Sequence, residues 1–443
     1  MELAHSEGIE VHAWLNAMPV WRDALSPRDP RHVFNLHGPS KSGGDNWLTA
    51  SPSGEVKFPV GYFLDPGHPA VAEYTVQIYC NIVRRYAVDG IHFDYIRYPE
   101  TEARLPQGSG VGYNPASLAR FRLATGRADL PAPDDPQWIA WRRQQVTQLV
   151  RRVYIEAKAI NPRIKVSAAL IPWGMNPSTE RDFQDAAPMQ RVFQDWHSWL
   201  KEGILDLAVP MNYAREHDPR VRNWFNGWIQ WEKRHKHSRQ LAVGIGAYLN
   251  APQNTLAQIA RVRQTAGRHR ADGVSFFSYA NLFPAPQPPA PPTSVTNANG
   301  TAGSLPSAPG NSSSGTDRLA FFFLGIPSES ENSPAYPPAF DRPAAIPKMD
   351  WIERPSRGWV AGVVRDSPGI PAGNVVVRIR RRGWFGRTNR TLTDGNGFFG
   401  FTGLKPGRYT VRGNRASSPE VSVEVAAGRV SRADLQRWAP GPN

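Results

Sequence analysis

The stretch V-D-G-I-H-F-D-Y-I-R-Y-P, residues 88–99, predicts a buried β-strand that ends in charged side chains. Its apolar residues favour burial on both faces, as in a parallel sheet covered by helices. Alternation along the strand places His92 and Asp94 on one face. Asp94 stands near the carboxyl end, where a (β/α) barrel presents its catalytic groups. We interpret Asp94 as a candidate catalytic carboxylate. A structural Asp that caps the next loop would fit the same spacing.

Five further strands are predicted on either side of this one, with helices between them. The strands are residues 9–16, 165–173, 205–213, 240–248 and 273–279, and the helices are residues 69–86, 134–160, 188–201, 221–235 and 255–267. This alternation is typical of an α/β fold with a parallel sheet. A closed barrel has eight strands. The six predicted here therefore indicate either an open sheet or a (β/α)8 TIM barrel that lacks its first two strands.

The chain changes character twice after the last predicted strand. Residues 284–350 are rich in Pro, Ala, Ser and Gly and begin P-A-P-Q-P-P-A-P-P-T-S, which is typical of an extended, partly disordered tether. Runs such as N-V-V-V-R-I-R-R-R and F-F-G-F-T-G-L then indicate an all-β sandwich. We predict a barrel over residues 1–283, a linker over 284–350 and a sandwich over 351–443.

Positive charge is concentrated in the predicted sandwich. The whole chain carries a net charge of +14, and from Arg357 to the end 15 Lys or Arg stand against 5 Asp or Glu, a local charge of +10. Such a module indicates an anionic partner, for example a cell-wall polymer, although a soluble Arg-rich domain with no partner is an alternative. Nucleic acid is disfavoured as the partner because no helix or aromatic strand face of a known nucleic-acid-binding type is visible.

Composition excludes several classes of protein. No stretch approaches the roughly 20 apolar residues of a membrane helix. Cys80 is the single cysteine, so there is no disulfide framework. The opening M-E-L-A-H-S-E-G-I-E-V-H-A-W-L lacks the regions of a signal peptide. It reads as the end of a helix that runs into a strand, so we expect a missing segment upstream.

Polar and aromatic side chains cluster at the predicted strand ends. Aromatic rings stack on the C–H faces of sugars, and amides and charged groups bind their hydroxyls, so this mixture indicates a glycan cleft. For any single Trp, packing in the core is the alternative. The candidate substrate-binding residues are His12, Trp14, Asn16, His92, Arg97, Trp173, Asn212, Tyr213 and Tyr279.

A metal or cofactor is not indicated. His12, His92 and Asp94 are an acceptable ligand set for zinc, but the spacing within their strands does not require a metal. The sequence also lacks a phosphate-binding loop, a dinucleotide fingerprint and a G-x-S-x-G motif. We therefore expect a site that works with side chains alone.

Five segments in order resemble the bacterial glycosyl-hydrolase-like family 10. They are G-I-E-V-H-A-W-L-N (8–16), D-G-I-H-F-D-Y-I-R-Y-P (89–99), K-V-S-A-A-L-I-P-W-G (165–174), D-L-A-V-P-M-N-Y (206–213) and A-D-G-V-S-F-F-S-Y (271–279). The resemblance implies that these are barrel strands three, four, five, six and eight, and that strands one and two are absent here. It also implies an extracytoplasmic glycoside hydrolase acting on envelope polysaccharide, with peptidoglycan glycan strands as a candidate substrate. A non-catalytic glycan-binding or scaffold protein on a degenerate barrel is the alternative.

The resemblance also suggests roles for individual residues. Asp94 matches the acidic position of strand four, Asn212 and Tyr213 match the pocket of strand six, and His12, Trp14 and Asn16 match the wall of strand three. Many relatives read F-D-D where this chain has Phe93-Asp94-Tyr95, so a second carboxylate is missing. Glu216 is our candidate for the catalytic partner, with Glu100 as a further option.

Two other resemblances extend these expectations. Met211-Asn212-Tyr213 is similar to the strand-six motif of family-18 chitinases, in which the substrate's own 2-acetamido group replaces a protein nucleophile. The pattern T-D-x-x-G-x-F-x-F-x-x-L-x-P-G-x-Y-x-V, residues 393–411, resembles a carboxypeptidase-regulatory-like domain of transthyretin type. That pattern specifies a fold and not a function. We hypothesise that arginines of this domain tether the barrel to the envelope. They include Arg378, Arg380, Arg381 and Arg382.

Overall fold

The computed structural model describes residues 1–101, 110–278, 338–340, 344–367, 370–383, 388–413 and 419–436. The strands of its first domain are β1 (His12–Asn16), β2 (Pro19–Trp21), β3 (Lys57–Phe58), β4 (Gly61–Phe63), β5 (Gly90–Asp94), β6 (Lys165–Leu170), β7 (Leu207–Pro210), β8 (Gln240–Ile245) and β9 (Gly273–Phe276). Strands β1, β5, β6, β7, β8 and β9 form one parallel sheet in that order, and β2, β4 and β3 form a small antiparallel sheet. The predicted α/β class is confirmed, and each of the six predicted strands is present in a shorter form.

Helices alternate with these strands along the chain. They are α1 (Glu2–Ser6), α2 (Val33–His37), α3 (Pro69–Arg85), α4 (Pro115–Thr125), α5 (Pro136–Ile160), α6 (Glu180–Asp185), α7 (Ala187–Gln190), α8 (Trp196–Glu202), α9 (Pro219–His235) and α10 (Pro252–Arg263). Several begin with Pro directly after a side chain that accepts a hydrogen bond from the first helical turn, such as Asn114, Asp135 and Asp218. Pro and a capping side chain both favour a helix start, so the sequence fixes these boundaries locally.

The amino ends of the strands are closed by a buried ionic cluster around Asp206. Its carboxylate lies 3.1 Å from Lys158 Nζ and accepts hydrogen bonds from the Tyr154 hydroxyl at 3.1 Å and the Val166 N–H at 3.0 Å. Trp351 Nε1 also donates to it, at 2.7 Å. A buried carboxylate needs such partners, and here they join α5, β6 and the start of the second domain.

The second domain is a two-sheet β-structure. It comprises α11 (Asp350–Glu353), β10 (Gly358–Ser367), β11 (Ile370–Pro371), β12 (Val376–Arg381), β13 (Thr388–Leu392), β14 (Phe398–Leu404), β15 (Gly407–Gly413), β16 (Val421–Val425), β17 (Val430–Arg432) and β18 (Leu435–Gln436). An inner sheet is built from β10, β11, β14, β17 and β18, and an outer sheet from β13, β12, β15 and β16. Apolar side chains from both sheets, including Val360, Ile379, Phe399 and Val411, form a common core. The predicted sandwich is confirmed.

The inner sheet of the sandwich lies directly against α5 of the barrel. The rings of Trp359 and Tyr154 meet edge to face at 6.1 Å. Arg432 donates two hydrogen bonds of 2.7 Å to Glu156. Trp359 belongs to the same apolar cluster as the barrel core, so the two domains share part of one core.

Part of the predicted tether is also held against the barrel. Ala339 is buried with Ile245 and Ile259, and Gln240 Nε2 donates to the carbonyl oxygen of Pro347 at 2.8 Å. Pro-rich composition predicted an extended linker here, and it carried no signal for these contacts. Most of residues 284–350 lie outside the described residues.

Candidate active site

A cavity of about 1040 Å³ opens at the carboxyl ends of the parallel strands. Five of the six parallel strands, β1, β5, β6, β7 and β9, contribute residues to its wall. The edges of the sheet meet at this end, because the rings of Trp14, from β1, and Phe277, directly after β9, lie 6.2 Å apart. The predicted residues that line it are His12, Trp14, Asn16, His92, Asp94, Arg97, Trp173, Asn212 and Tyr213. Tyr279, also predicted here, lies outside the described residues.

Asp94 ends β5 and reaches the cavity with only 8% of its surface exposed. One carboxyl oxygen accepts a hydrogen bond from Trp14 Nε1 at 3.1 Å, and the other accepts one from the Tyr95 N–H at 2.7 Å. Burial raises the pKa of Asp94, while these two hydrogen bonds and the charge of Arg97 oppose that rise. A carboxyl group with a raised pKa holds its proton longer, which suits proton donation.

Arg97 presents a buried cation beside Asp94. Its guanidinium lies over the rings of Tyr95 and Trp173, at 4.4 and 5.1 Å from their centroids. Arg97 is 5% exposed, and its Nε atom has no hydrogen-bond partner among the described residues. A buried guanidinium with an unused donor is suited to binding an anionic group of a ligand.

His12 and His92 form the floor of the cavity below Asp94. His92 Nδ1 lies 2.8 Å and His12 Nδ1 3.4 Å from the hydroxyl of Ser167, which also lines the cavity. Burial lowers the pKa of His92 to about 4 and also lowers that of His12. Both rings are therefore neutral at pH 7 and offer hydrogen bonds without charge.

Aromatic rings form one wall of the cavity. Tyr213 and Phe277 stack with their centroids 5.7 Å apart, and Tyr248 meets Tyr213 edge to face at 6.3 Å. Trp14 leaves 59% of its surface exposed. Exposed ring faces beside polar groups are typical of sugar-binding sites.

Asn212 is held from behind by a buried acid that the sequence prediction missed. Asn212 Nδ2 donates to both carboxyl oxygens of Glu232, at 3.0 and 2.9 Å. Glu232 is 2% exposed, and burial raises its pKa to about 8. The signal was present in α9, because Phe225, Trp228, Ile229 and Glu232 follow the spacing of one buried helix face.

Glu216, the predicted partner of Asp94, is not among the described residues that line the cavity. Its carboxylate is ion-paired with Arg261 and accepts a hydrogen bond from Gln258 Nε2 at 3.3 Å, and both partners lie on α10. Glu100, the other option, is ion-paired with Arg191 at 2.9 Å. Asp94 is the one carboxylic acid among the described residues that line the cavity.

The described residues contain no group of three or more His, Cys, Asp or Glu side chains arranged to hold a metal ion. The histidines of the floor are instead hydrogen-bonded to Ser167. Across the same part of the chain, no helix combines the length and apolar character needed to cross a membrane.

Comparison with protein families identifies both domains. Residues 1–254 match the model of the glycosyl hydrolase-like 10 family. The chain belongs to the glycosyl hydrolase-like 10 family. Residues 360–436 match the carboxypeptidase regulatory-like domain. Both resemblances inferred from the sequence are thereby confirmed.

Individual relatives agree with this family. Glycosyl hydrolase DigH of Escherichia coli strain K12 is 26% identical over 227 residues, which cover 48% of this chain and 45% of DigH. Glycosyl hydrolase YngK of Bacillus subtilis strain 168 is 24% identical over 268 residues, covering 57% and 46%. The chain thus spans about half the length of the curated relatives it matches.

The glycoside hydrolase domain of PgaB (BpsB) from Bordetella bronchiseptica matches at 15% identity with a TM-score of 0.42, over 63% of this chain and 74% of that domain. The family match and the relatives DigH and YngK support a glycosidase-like role.

Proposed function

We propose that this protein is an extracytoplasmic glycoside hydrolase that cleaves peptidoglycan glycan strands, with Asp94 as its catalytic acid. The observation that carries the proposal is the buried Asp94 carboxyl group, which has a raised pKa and is the one carboxyl group among the described residues that line the aromatic-walled cavity. A raised pKa favours the protonated form of the group, which can donate its proton to the glycosidic oxygen. The alternation of exposed rings with amide and guanidinium groups fits a chain of sugars.

The absence of a second carboxyl group among the described lining residues favours help from the substrate. Asp94 donates its proton to the glycosidic oxygen while the oxygen of the substrate's 2-acetamido group attacks C1 and the C1–O bond breaks. Water then adds to C1 of the cyclic intermediate and gives its proton to the Asp94 carboxylate, which restores the acid. This sequence needs one protein carboxyl group and gives a product with retained configuration.

Arg97 supports the choice of peptidoglycan among acetamido-bearing glycans. Alternate sugars of peptidoglycan carry a lactyl carboxyl group, which is a free carboxylate wherever no peptide stem is attached. That anion would pair with the Arg97 guanidinium, which lines the cavity. Chitin has the acetamido groups without the carboxylate. Comparing it with peptidoglycan therefore separates the need for the acetamido group from the need for an anion at Arg97.

A non-catalytic glycan-binding protein is the second candidate. It is also favoured because Asp94 is the one carboxyl group among the described lining residues. Such a protein would use the same aromatic wall and Arg97 but would release no product. Both candidate functions require glycan binding in the cavity. Only the hydrolase also cleaves the glycan.

Mass spectrometry of products tests the proposal. Wild type and Asp94→Asn are incubated side by side with peptidoglycan glycans, with and without peptide stems, and with chitin oligomers. We expect shorter glycans from the wild type only, most abundantly from strands without stems. Glycan binding by both proteins with no product from either would reject hydrolysis in favour of the second candidate.

A further inference from the structure

The two sheets of the sandwich have different surroundings. The inner sheet is covered by α5, through Trp359 and through Arg432, which pairs with Glu156. The outer sheet turns Val377 and Ile379 into the core and its alternate residues away from the barrel. The outward face of this sheet is therefore the surface that the sandwich offers to other molecules.

Arginines stand directly opposite one another across this outward face. Arg378 on β12 is in register with Arg390 on β13 and with Arg412 on β15. On the same face, Arg380 is in register with Thr388 and Thr410 on those neighbouring strands. Adjacent strands are about 4.8 Å apart, so the guanidinium groups share a small area with hydroxyl groups beside them.

This arrangement is unfavourable for the isolated sheet, because like charges directly opposite one another destabilise strand pairing. Acidic side chains lie close to the arginines of β15. Glu420 lies 3.7 Å from Arg412 and Glu424 lies 3.6 Å from Arg408, both toward the edge strand β16. The described register partners of Arg378, Arg380 and Arg390 are arginines or threonines, so these cross-strand neighbours add no negative charge.

We propose that this arginine face, defined as Arg378, Arg380 and Arg390 with Thr388 and Thr410, binds an acidic polysaccharide through its carboxylates. Arginine forks bind carboxylates with two hydrogen bonds, and the threonine hydroxyls add donors and acceptors for sugar hydroxyls. Since the inner sheet is fixed to α5, a polymer bound to the sandwich is also held to the barrel domain. Binding at this face does not require cleavage of the polymer. The inference therefore goes beyond the proposed function.

Acidic polysaccharide is favoured over nucleic acid by what the face lacks. Single-stranded nucleic acid binds to sheets through aromatic rings that stack on the bases. The described outward residues in register around Arg378 and Arg380 are Arg, Thr and Ser, and Tyr409 points into the core. The face can therefore hold charged groups but offers no described stacking platform.

Binding of the full-length protein to polygalacturonate, which carries a carboxylate on every sugar, tests this inference. The variant Arg378→Gln/Arg380→Gln/Arg390→Gln is compared with Arg28→Gln/Arg84→Gln/Arg85→Gln, which removes the same charge from exposed barrel positions. We expect the first variant to lose at least about tenfold in affinity at low salt and the second to lose far less. Thermal unfolding shows that each variant is folded, and neutral dextran is the control polymer.

Three outcomes would overturn the inference. They are equal losses in both variants, no binding of polygalacturonate by the wild type, and equal or tighter binding of single-stranded DNA through the same three arginines. If the triple variant unfolds, the single change Arg380→Gln is measured in the same assay, where unchanged affinity would also count against the arginine face. Loss of glycan hydrolysis has no part in this readout, so the proposed function can fail while this inference stands.

Discussion

Asp94 and Asp206 are both buried carboxyl groups of the same parallel sheet, one at each end of the barrel, and their surroundings are opposite. Asp206 is fully enclosed and has four partners, Lys158, Tyr154, the Val166 N–H and Trp351. Asp94 has hydrogen bonds from Trp14 and from the Tyr95 N–H, and it borders the cavity.

The difference indicates how the fold separates stability from chemistry. A carboxylate whose partners are all protein groups holds elements together, and removing it leaves a buried Lys158 without its anion. A carboxyl group with few partners beside open space can exchange a proton with a ligand. The contrast matches the general division of a barrel into a catalytic face and a stabilising face.

The largest expected effect is on activity in Asp94→Asn. We expect kcat to fall by about 10³-fold because the amide cannot donate the proton. Burial raises the folded-state pKa of Asp94 above its unfolded value, so its ionisation at pH 7 lowers stability. The variant should therefore be as stable as the wild type, or slightly more stable, at pH 7. Initial rates and thermal unfolding measure both; a large drop in the unfolding temperature would contradict the contrast.

The next effect is on stability in Asp206→Ala. We expect a loss of about 3–5 kcal/mol in the free energy of unfolding, because Lys158 is left as an uncompensated buried charge. Urea denaturation measures it, with the exposed Asp23→Ala as a control that should change little. Activity per folded molecule should persist. An Asp206 variant that is stable but inactive would contradict the assignment of Asp206 to stability and Asp94 to catalysis.

A smaller effect is expected on substrate choice in Arg97→Gln. The value of kcat/KM for glycan strands without peptide stems should fall by about 10- to 100-fold, since a charged hydrogen bond to the substrate is lost. Hydrolysis of chitin oligomers, which lack the carboxylate, should change much less. Equal losses on both substrates would mean that Arg97 acts on the cavity itself and not on an anion.

A separate effect, on the pH dependence of stability, concerns Glu232, a third buried acid that lies behind the cavity. Its folded-state pKa of about 8 exceeds its usual value of 4.5. As pH rises through this window the unfolded chain loses a proton that the folded protein keeps, so stability falls by up to about 1.4 kcal/mol per pH unit. Glu232→Gln should remove this slope, and its stability advantage should grow from pH 5 to about pH 8 and then level off. Parallel pH profiles would contradict the assignment.

The sequence predicted features that depend on local pattern. The six parallel strands follow from apolar periodicity, and residues such as Asp94 and Asn212 reach the cavity because the carboxyl ends of parallel strands share one edge. Contacts between elements that are far apart in the sequence leave no local pattern, so the sequence did not predict them. Glu216 is ion-paired with Arg261 of α10, and the docking of the sandwich depends on Trp359 meeting α5.

The most direct test of the central claim measures binding and turnover of one glycan by wild type and Asp94→Asn. The ligand is a peptidoglycan strand without stems, its affinity is measured by calorimetry, and its cleavage is followed by mass spectrometry. We predict similar affinity for both proteins and cleavage by the wild type alone. Cleavage by Asp94→Asn at the wild-type rate, or binding without cleavage by the wild type, would contradict the assignment of Asp94 as the catalytic acid.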